Sequence, residues 1–188
     1  MKRYILFAGV NGAGKSTLYR IVDQDIRDLP RVNVDEILKT FGDWRNFGDI
    51  LKAGKIAIAK IESYFSEGLS FNQETTLCGA SIMKNILRAK SLGYYIEVHY
   101  VGVASAEVAK ERIKMRVAMG GHGIPDADVD RRYVESFRKL KEIMPLCDEL
   151  TLYDNTTKLN WVATYKDNKL VWKNRDALPD WYRKLQSQ

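Results

Sequence analysis

Cysteine and histidine are scarce in this sequence, and long apolar runs are missing altogether. Two cysteines, Cys78 and Cys147, lie far apart, so no disulfide framework is on offer and free, buried thiols in a reducing compartment are the expectation. His122 has no cysteine, histidine or carboxylate at ligand spacing, which excludes a zinc motif and a histidine-dependent hydrolase constellation. No apolar stretch approaches the roughly 20 residues of a membrane span. Met1-Lys2-Arg3 leads almost at once into the first strand, leaving little room for a cleavable signal peptide. The expectation is a cytoplasmic chain with no membrane partner. There is also no internal repeat, low-complexity tract or linker, and 188 residues suit one domain, 1–188. The net charge of +6 welcomes an anionic partner. Its basic residues are nonetheless spread out, and the denser cluster from Arg131 to Lys141 is interleaved with acids, so nucleic acid is not the partner they point to.

What the chain does have is punctuation. Tyr4 to Ala8 is a short apolar run suited to a buried strand, and helical spacing follows at Leu18, Ile21 and Val22. A second strand is expected over 31–34, then a helix to about Gly42 and a loop over 44–48. From Asp49 a longer helix runs to Glu67 with Leu51, Ile58, Ile61 and Phe65 as its apolar stripe. Residues 70–76 read as a third strand, and helical spacing at Ile82, Met83, Ile86 and Leu87 runs on until Gly93. Residues 94–103 are rich in aromatic and β-branched side chains and form the fourth strand. Ser105 caps a helix with Val108, Arg112, Met115 and Met119 in register, and a glycine-rich break at 120–125 ends it. A further helix spans 126 to about 145 with Val129, Tyr133, Phe137, Leu140 and Met144 on one face. A fifth strand covers 149–153. Residues 161–165 and 170–172 alternate around Asp167-Asn168 as a β-hairpin, and Trp181 and Leu185 mark an amphipathic tail. This pattern predicts a three-layer α/β fold with a mostly parallel sheet of about five strands, a helical lid over about 112–132, and a C-terminal hairpin and tail over about 157–188.

The stretch from Gly9 to Thr17, GVNGAGKST, fits G-x-x-x-x-G-K-[ST] between that first strand and helix, which is the context a phosphate-binding loop requires. Backbone N–H groups of Asn11, Gly12, Ala13, Gly14, Ser16 and Thr17 can close on a phosphate chain, aided by the helix N-terminus. Lys15 supplies positive charge for the outer phosphates, and Ser16 offers its hydroxyl to Mg²⁺. ATP and Mg²⁺ are therefore the expected ligands, in a P-loop NTPase fold. No LSGGQ-like stretch, no NKxD element and no acid closing the apolar fourth strand are present, which removes ABC transporters, GTPases and motor ATPases and leaves small-molecule kinases.

Ligands of such sheets lie past the strand C-termini. There stand Asp35 and Glu36, then Glu74 with Thr75, then Asp154 with Asn155. A kinase needs a carboxylate to orient the acceptor hydroxyl and take its proton, and Asp35 is the choice for that base. Glu74 either binds the acceptor or holds Mg²⁺ through water. The alternative for Asp35 and Glu36 is helix capping. Arg112 and Arg116, four apart, share one helical face before the glycine break, while Arg131 and Arg132 follow it, as in a closing lid; solvated arginines are the alternative. His122 sits in that lid.

With GVNGAGKST, the sequence carries NVDE at 33–36, ETTL at 74–77, Arg116-Val117, GGHGIP at 120–125, RRY at 131–133 and Asp154-Asn155. In this order they resemble the zeta-toxin family of P-loop kinases, in its short stand-alone form. The resemblance implies that Asp35 deprotonates the acceptor, that Glu74 with Thr75, His122 and Arg132 contributes to holding it, and that Arg112, Arg116, Arg131 or Arg132 and Asn155 attend the nucleotide. It further implies catalytic roles for Lys15, Arg116 and Arg131. The family's reaction implies a small anionic acceptor, with UDP-N-acetylglucosamine the leading candidate, and an antitoxin protein as partner. The sequence departs from the family after Asp35, where ILKTFGDWRNFG replaces an arginine-proline region, and it lacks the larger acceptor-binding insertions. Two other readings compete. One is a nucleoside, nucleotide or polynucleotide 5′-kinase; the other is an ATP-dependent regulatory or binding protein without a kinase substrate.

Overall fold

The computed structural model describes residues 1–176 and 178–186. Its centre is β1 (Arg3–Ala8), buried from Tyr4 onward, as a strand covered by helices on both faces must be. β2 (Arg31–Val32), β3 (Phe71–Thr75), β4 (Tyr95–Gly102) and β5 (Glu149–Asp154) run parallel with it, and β6 (Asn160–Lys166) and β7 (Lys169–Lys173) continue the sheet antiparallel. The order is β2-β3-β1-β4-β5-β6-β7. The hairpin thus extends the sheet rather than standing apart from it. Its turn is legible in Asp167 and Asn168, which take φ of 48° and 59°, the positive values that a tight two-residue hairpin loop requires of both residues.

Among the described residues, eight α-helices pack around this sheet: α1 (Lys15–Ile21), α2 (Gln24–Arg27), α3 (Val34–Lys39), α4 (Phe47–Glu67), α5 (Ser81–Ser91), α6 (Ala106–Ala118), α7 (Asp126–Ile143) and α8 (Asp180–Gln186). Two apolar clusters form. In one, Ile5, Phe7, Leu18, Val101 and Ile113 meet the start of α7 at Val129. In the other, Leu6, Ile61, Phe65, Ile86, Ile96 and Trp181 meet its later part at Leu140 and Ile143. α7 therefore ties the lid end of the molecule to the opposite core. Among the described residues no helix is long and apolar enough to cross a membrane. The expected tail is helical, with Trp181 and Leu185 buried; residues 177, 187 and 188 lie outside the described residues.

Two expected helix faces are corrected. α4 starts at Phe47, capped by the Asn46 side chain, and buries Ala53, Ala57, Ile61 and Phe65, while Leu51 and Ile58 are exposed. Small side chains let α4 approach closely, so the buried arc is rotated away from the bulkier residues. In α6 the core contacts are Ala106, Ala109 and Ile113; Met115 and Met119 are exposed, which turns Arg112 and Arg116 toward the ends of the strands. Leu87 is exposed as well. β2 is only two residues long because Asn33 already caps α3. Cys147 is buried and Cys78 only half-buried, both free.

Candidate functional site

A cleft of about 660 Å³ opens at the C-terminal ends of β1, β2 and β3, where a doubly wound sheet places its ligands. The phosphate loop forms its floor. Gly14 takes φ of 106°, and a Cβ there would lie 2.2 Å from Asn155 Nδ2, so only glycine fits between the loop and the β5 end. Asn155 Nδ2 also donates to Ala13 O at 2.8 Å, fixing the loop to β5; Ala13 itself is fully buried beneath the cleft. Lys15 is buried and donates to Gly9 O at 2.9 Å and Val10 O at 3.1 Å. Burial lowers its proton affinity, and the nearby Glu74 and Asp35 carboxylates recover part of that loss.

Glu74, at the end of β3, is a hub. Its Oε2 accepts from Ser16 Oγ at 3.0 Å, from Asn33 Nδ2 at 3.0 Å and from Arg31 Nη2 at 2.6 Å, and Lys15 Nζ lies 4.0 Å from Oε1. Arg31 was not among the expected site residues. Its guanidinium stacks 3.6 Å from the centre of the Tyr19 ring and also binds Glu36, so it reaches Glu74 in a fixed orientation. Its position as the first residue of β2 was the available signal. The partner became visible only through the register that pairs Arg31 with Asn72, two residues before Glu74.

Asp35 occupies the first turn of α3 without serving as the cap. Asn33 Oδ1 does that, accepting from the Asp35 N–H at 2.9 Å and the Glu36 N–H at 3.4 Å. The Asp35 carboxylate is left to face the cleft, where His122 Nε2 lies 2.7 Å from its Oδ2. The approach is close, although Nε2 and the carboxylate are not in hydrogen-bond alignment. Burial pushes the Asp35 carboxyl up, but His122, Lys15 and Arg116 outweigh it and hold the group below the usual carboxylate range.

From α6, Arg112 Nη2 donates to Thr156 O at 3.1 Å and Arg116 Nε to His122 O at 2.9 Å. Arg112 Nη1 and Arg116 Nη2 are buried without a partner. Unpaired guanidinium N–H groups are costly, and an anion in the cleft these residues line would satisfy them. The other two lid arginines behave differently. Arg131, expected to be catalytic, is exposed and spends its guanidinium on Asp128 and Glu135 three and four residues away on its own helix, outside the cleft. Arg132 does not line the cleft either; its Nη1 donates to Asn11 Oδ1 at 2.9 Å, bracing the phosphate loop from α7. Thr75 is also drawn away, because its Oγ1 accepts from Leu77 N at 3.0 Å in a local turn. The cleft thus brings together Asn11, Gly12, Gly14, Lys15, Ser16, Thr17, Asp35, Glu74, Arg112, Arg116, His122 and Asn155, and adds Tyr19, Arg20, Asn33, Glu36 and Lys39.

The residues fit a nucleoside triphosphate with a divalent cation. The orphaned arginine N–H groups and the glycine cradle suit phosphates, and the Ser16–Glu74 pair is an oxygen donor set of the hard kind Mg²⁺ takes.

A family model described as Zeta toxin matches residues 2–176. An uncharacterized protein of Haemophilus influenzae is 34% identical over 129 residues, covering 69% of this chain and 91% of that protein. In crystal structures of the AvrRxo1-ORF1:AvrRxo1-ORF2 complex, with sulphate ions and with ATP, a chain of 15% identity superposes with a TM-score of 0.75 over 100% of this chain. The present chain spans 64% of the length of that one. A chain of the PezAT chromosomal toxin-antitoxin system of Streptococcus pneumoniae gives a TM-score of 0.63 at 18% identity, covering 98% of this chain and 78% of its own. At such identities the structural likeness is one of fold.

Proposed function

This chain belongs to the zeta-toxin family of the P-loop kinase fold, and from that premise we propose that it is an ATP-dependent kinase transferring the γ-phosphoryl group to a hydroxyl of a small anionic acceptor. The observation that carries the reading is a shared cleft. The phosphate loop, the Asp35 carboxylate and two guanidinium groups with unpaired buried N–H donors all line it.

The division of labour follows from chemistry. Lys15 exchanges its bonds to Gly9 and Val10 for phosphate oxygens, while Arg112 and Arg116 receive the charge that spreads over the transferring group. Donors preorganised in a partly dry cleft need no rearrangement at that moment, and removing one such donor typically costs about 10²–10³ in rate. Asp35 orients the acceptor hydroxyl and receives its proton. The Asn33 cap on its N–H fixes the Asp35 backbone at the start of α3, with the carboxylate toward the cleft. Ser16 and Glu74 are the residues to hold Mg²⁺, which when bound neutralises phosphate charge.

Arg20 and Lys39 also line the cleft, which supports an anionic acceptor. A UDP-amino sugar such as UDP-N-acetylglucosamine is the leading candidate within the family. Residues 1–188 are read as one kinase domain working in the cytoplasm, and the free Cys78 and Cys147 support a reducing compartment. An antitoxin partner is proposed by analogy with the toxin-antitoxin system of the PezAT relative.

The test is to incubate the protein and Mg·ATP with sugar nucleotides, nucleosides, nucleotides and oligonucleotide ends, and to find by mass which product gains a phosphoryl group. A sugar nucleotide phosphorylated by the wild type and not by Lys15→Ala supports the proposal. Phosphate on nucleosides or oligonucleotide ends moves the acceptor class, and phosphate on nothing removes the kinase reading.

A further inference from the structure

Asp35 is met by an imidazole from the opposite wall. His122 Nε2 lies 2.7 Å from Asp35 Oδ2, and the His122 side chain is only 14% exposed. The contact joins α3 to the loop between α6 and α7, two parts of the chain that share no strand pairing. The loop that carries His122 is fitted on both sides. A Cβ on Gly121 would lie 2.5 Å from Arg116 Cγ, and one on Gly123 would lie 2.9 Å from the Trp44 ring. Larger residues could not thread between the α6 arginine and the segment linking α3 to α4. Arg116 Nε, in turn, holds the His122 carbonyl at 2.9 Å. One guanidinium therefore both grips the lid loop and offers its remaining N–H to the cleft.

Resting on the kinase reading above, we propose that His122 is the positioning residue for Asp35, a latch through which closure of the lid sets the base. In this arrangement His122 occupies Oδ2 and leaves Oδ1 to receive the acceptor hydroxyl. The contact of Arg116 with the His122 carbonyl ties that setting to the arginine that meets the phosphate. Nucleotide and acceptor halves of the cleft are then coupled through three residues, Arg116, His122 and Asp35. A lid that is open leaves Asp35 free to rotate, and small misplacements of a reacting group cost about 10² in rate.

The experiment has one readout that needs no acceptor. The sequence contains two histidines, so the imidazole resonances of His122 are read beside those of His99, which is buried and paired with Glu97 at 2.8 Å. At a single fixed pH, Asp35→Asn shifts the His122 resonances and leaves those of His99 in place. His122 resonances that stay unmoved overturn the proposal. The second readout is kinetic, on the acceptor found by the panel. His122→Ala lowers kcat by about 10² with the KM for ATP within about twofold, and His122→Gln, which keeps a donor near the Nε2 position, recovers most of the loss. In an Asp35→Asn background His122→Ala costs nothing further, since the group it positions is gone. An equal loss in both backgrounds marks a merely structural role and overturns the proposal. Wild-type protein that phosphorylates nothing overturns the kinase reading instead, while the resonance comparison still decides whether the pair exists.

Discussion

The Ser16 hydroxyl donates to Glu74 Oε2 at 3.0 Å, so a carboxylate from the end of β3 stands beside the phosphate-loop side chain that would carry Mg²⁺. This separates two roles for Glu74. If it supports the metal, Glu74→Gln raises the Mg²⁺ concentration giving half-maximal activity by about tenfold, the usual range for such partners, and leaves the acceptor KM nearly unchanged. A rise confined to the acceptor KM assigns Glu74 to the acceptor. A Mg²⁺ titration of the two proteins measures both.

The lid arginines divide by where their guanidinium groups go. Arg116→Ala lowers kcat by about 10²–10³, as loss of one preorganised donor does. Arg131→Ala stays within about twofold of wild type, because Arg131 is exposed and its ion pairs stay on its own helix, outside the cleft. Steady-state kinetics of the two variants check the assignment.

Arg31 and Glu74 form an ion pair at 2.6 Å in which each side chain is 10% exposed. Removing Arg31 takes from the buried Glu74 carboxylate its closest charged partner, leaving Lys15 at 4.0 Å. Arg31→Ala destabilises the fold by about 3 kcal/mol, and adding Glu74→Gln to it restores a good part of that loss. Urea melts of the two single variants and the double variant give the coupling.

Asp35 predicts a pH dependence of folding. His122, Lys15 and Arg116 overcome burial and keep its carboxyl below the usual range. A depressed group contributes stability that is fully present above its unfolded pKa, about 3.9, and is lost as pH falls through the folded value. The stability of wild type relative to Asp35→Asn therefore shrinks as pH drops below about 4 and vanishes once both forms are neutral. Denaturant melts from pH 3 to pH 6 (about the range where carboxylates titrate) measure it.

The legible part of the site is the part that follows strand ends. GVNGAGKST, Asp35, Glu74 and Asn155 lie at or just past the C-terminal ends of strands, and parallel topology brings them together. Arg112 and Arg116 were also readable, since four-residue spacing puts both on one face of α6. The rest depends on packing. Arg31 needed the register between β2 and β3. Choosing between Arg131 and Arg132 needed the rotation of α7, whose neighbouring arginines point to different partners. The apolar stripe of α4 was misread because two apolar arcs overlap at Ile61 and Phe65. Spacing ranked the bulky Leu51 and Ile58 above the alanines that the core receives. Likewise the hairpin was visible from its turn residues, but its pairing of β6 with β5 lies beyond local pattern.

The proposed function requires one cleft to bind the nucleotide with its loop and to activate an acceptor with Asp35. The most direct measurement sets phosphoryl transfer by Asp35→Asn beside its affinity for Mg·ATP. Transfer is expected to fall by at least about 10², the lower end for loss of a general base, with ATP affinity within about twofold of wild type. Transfer at the wild-type rate by Asp35→Asn, or loss of ATP binding together with transfer, would contradict it.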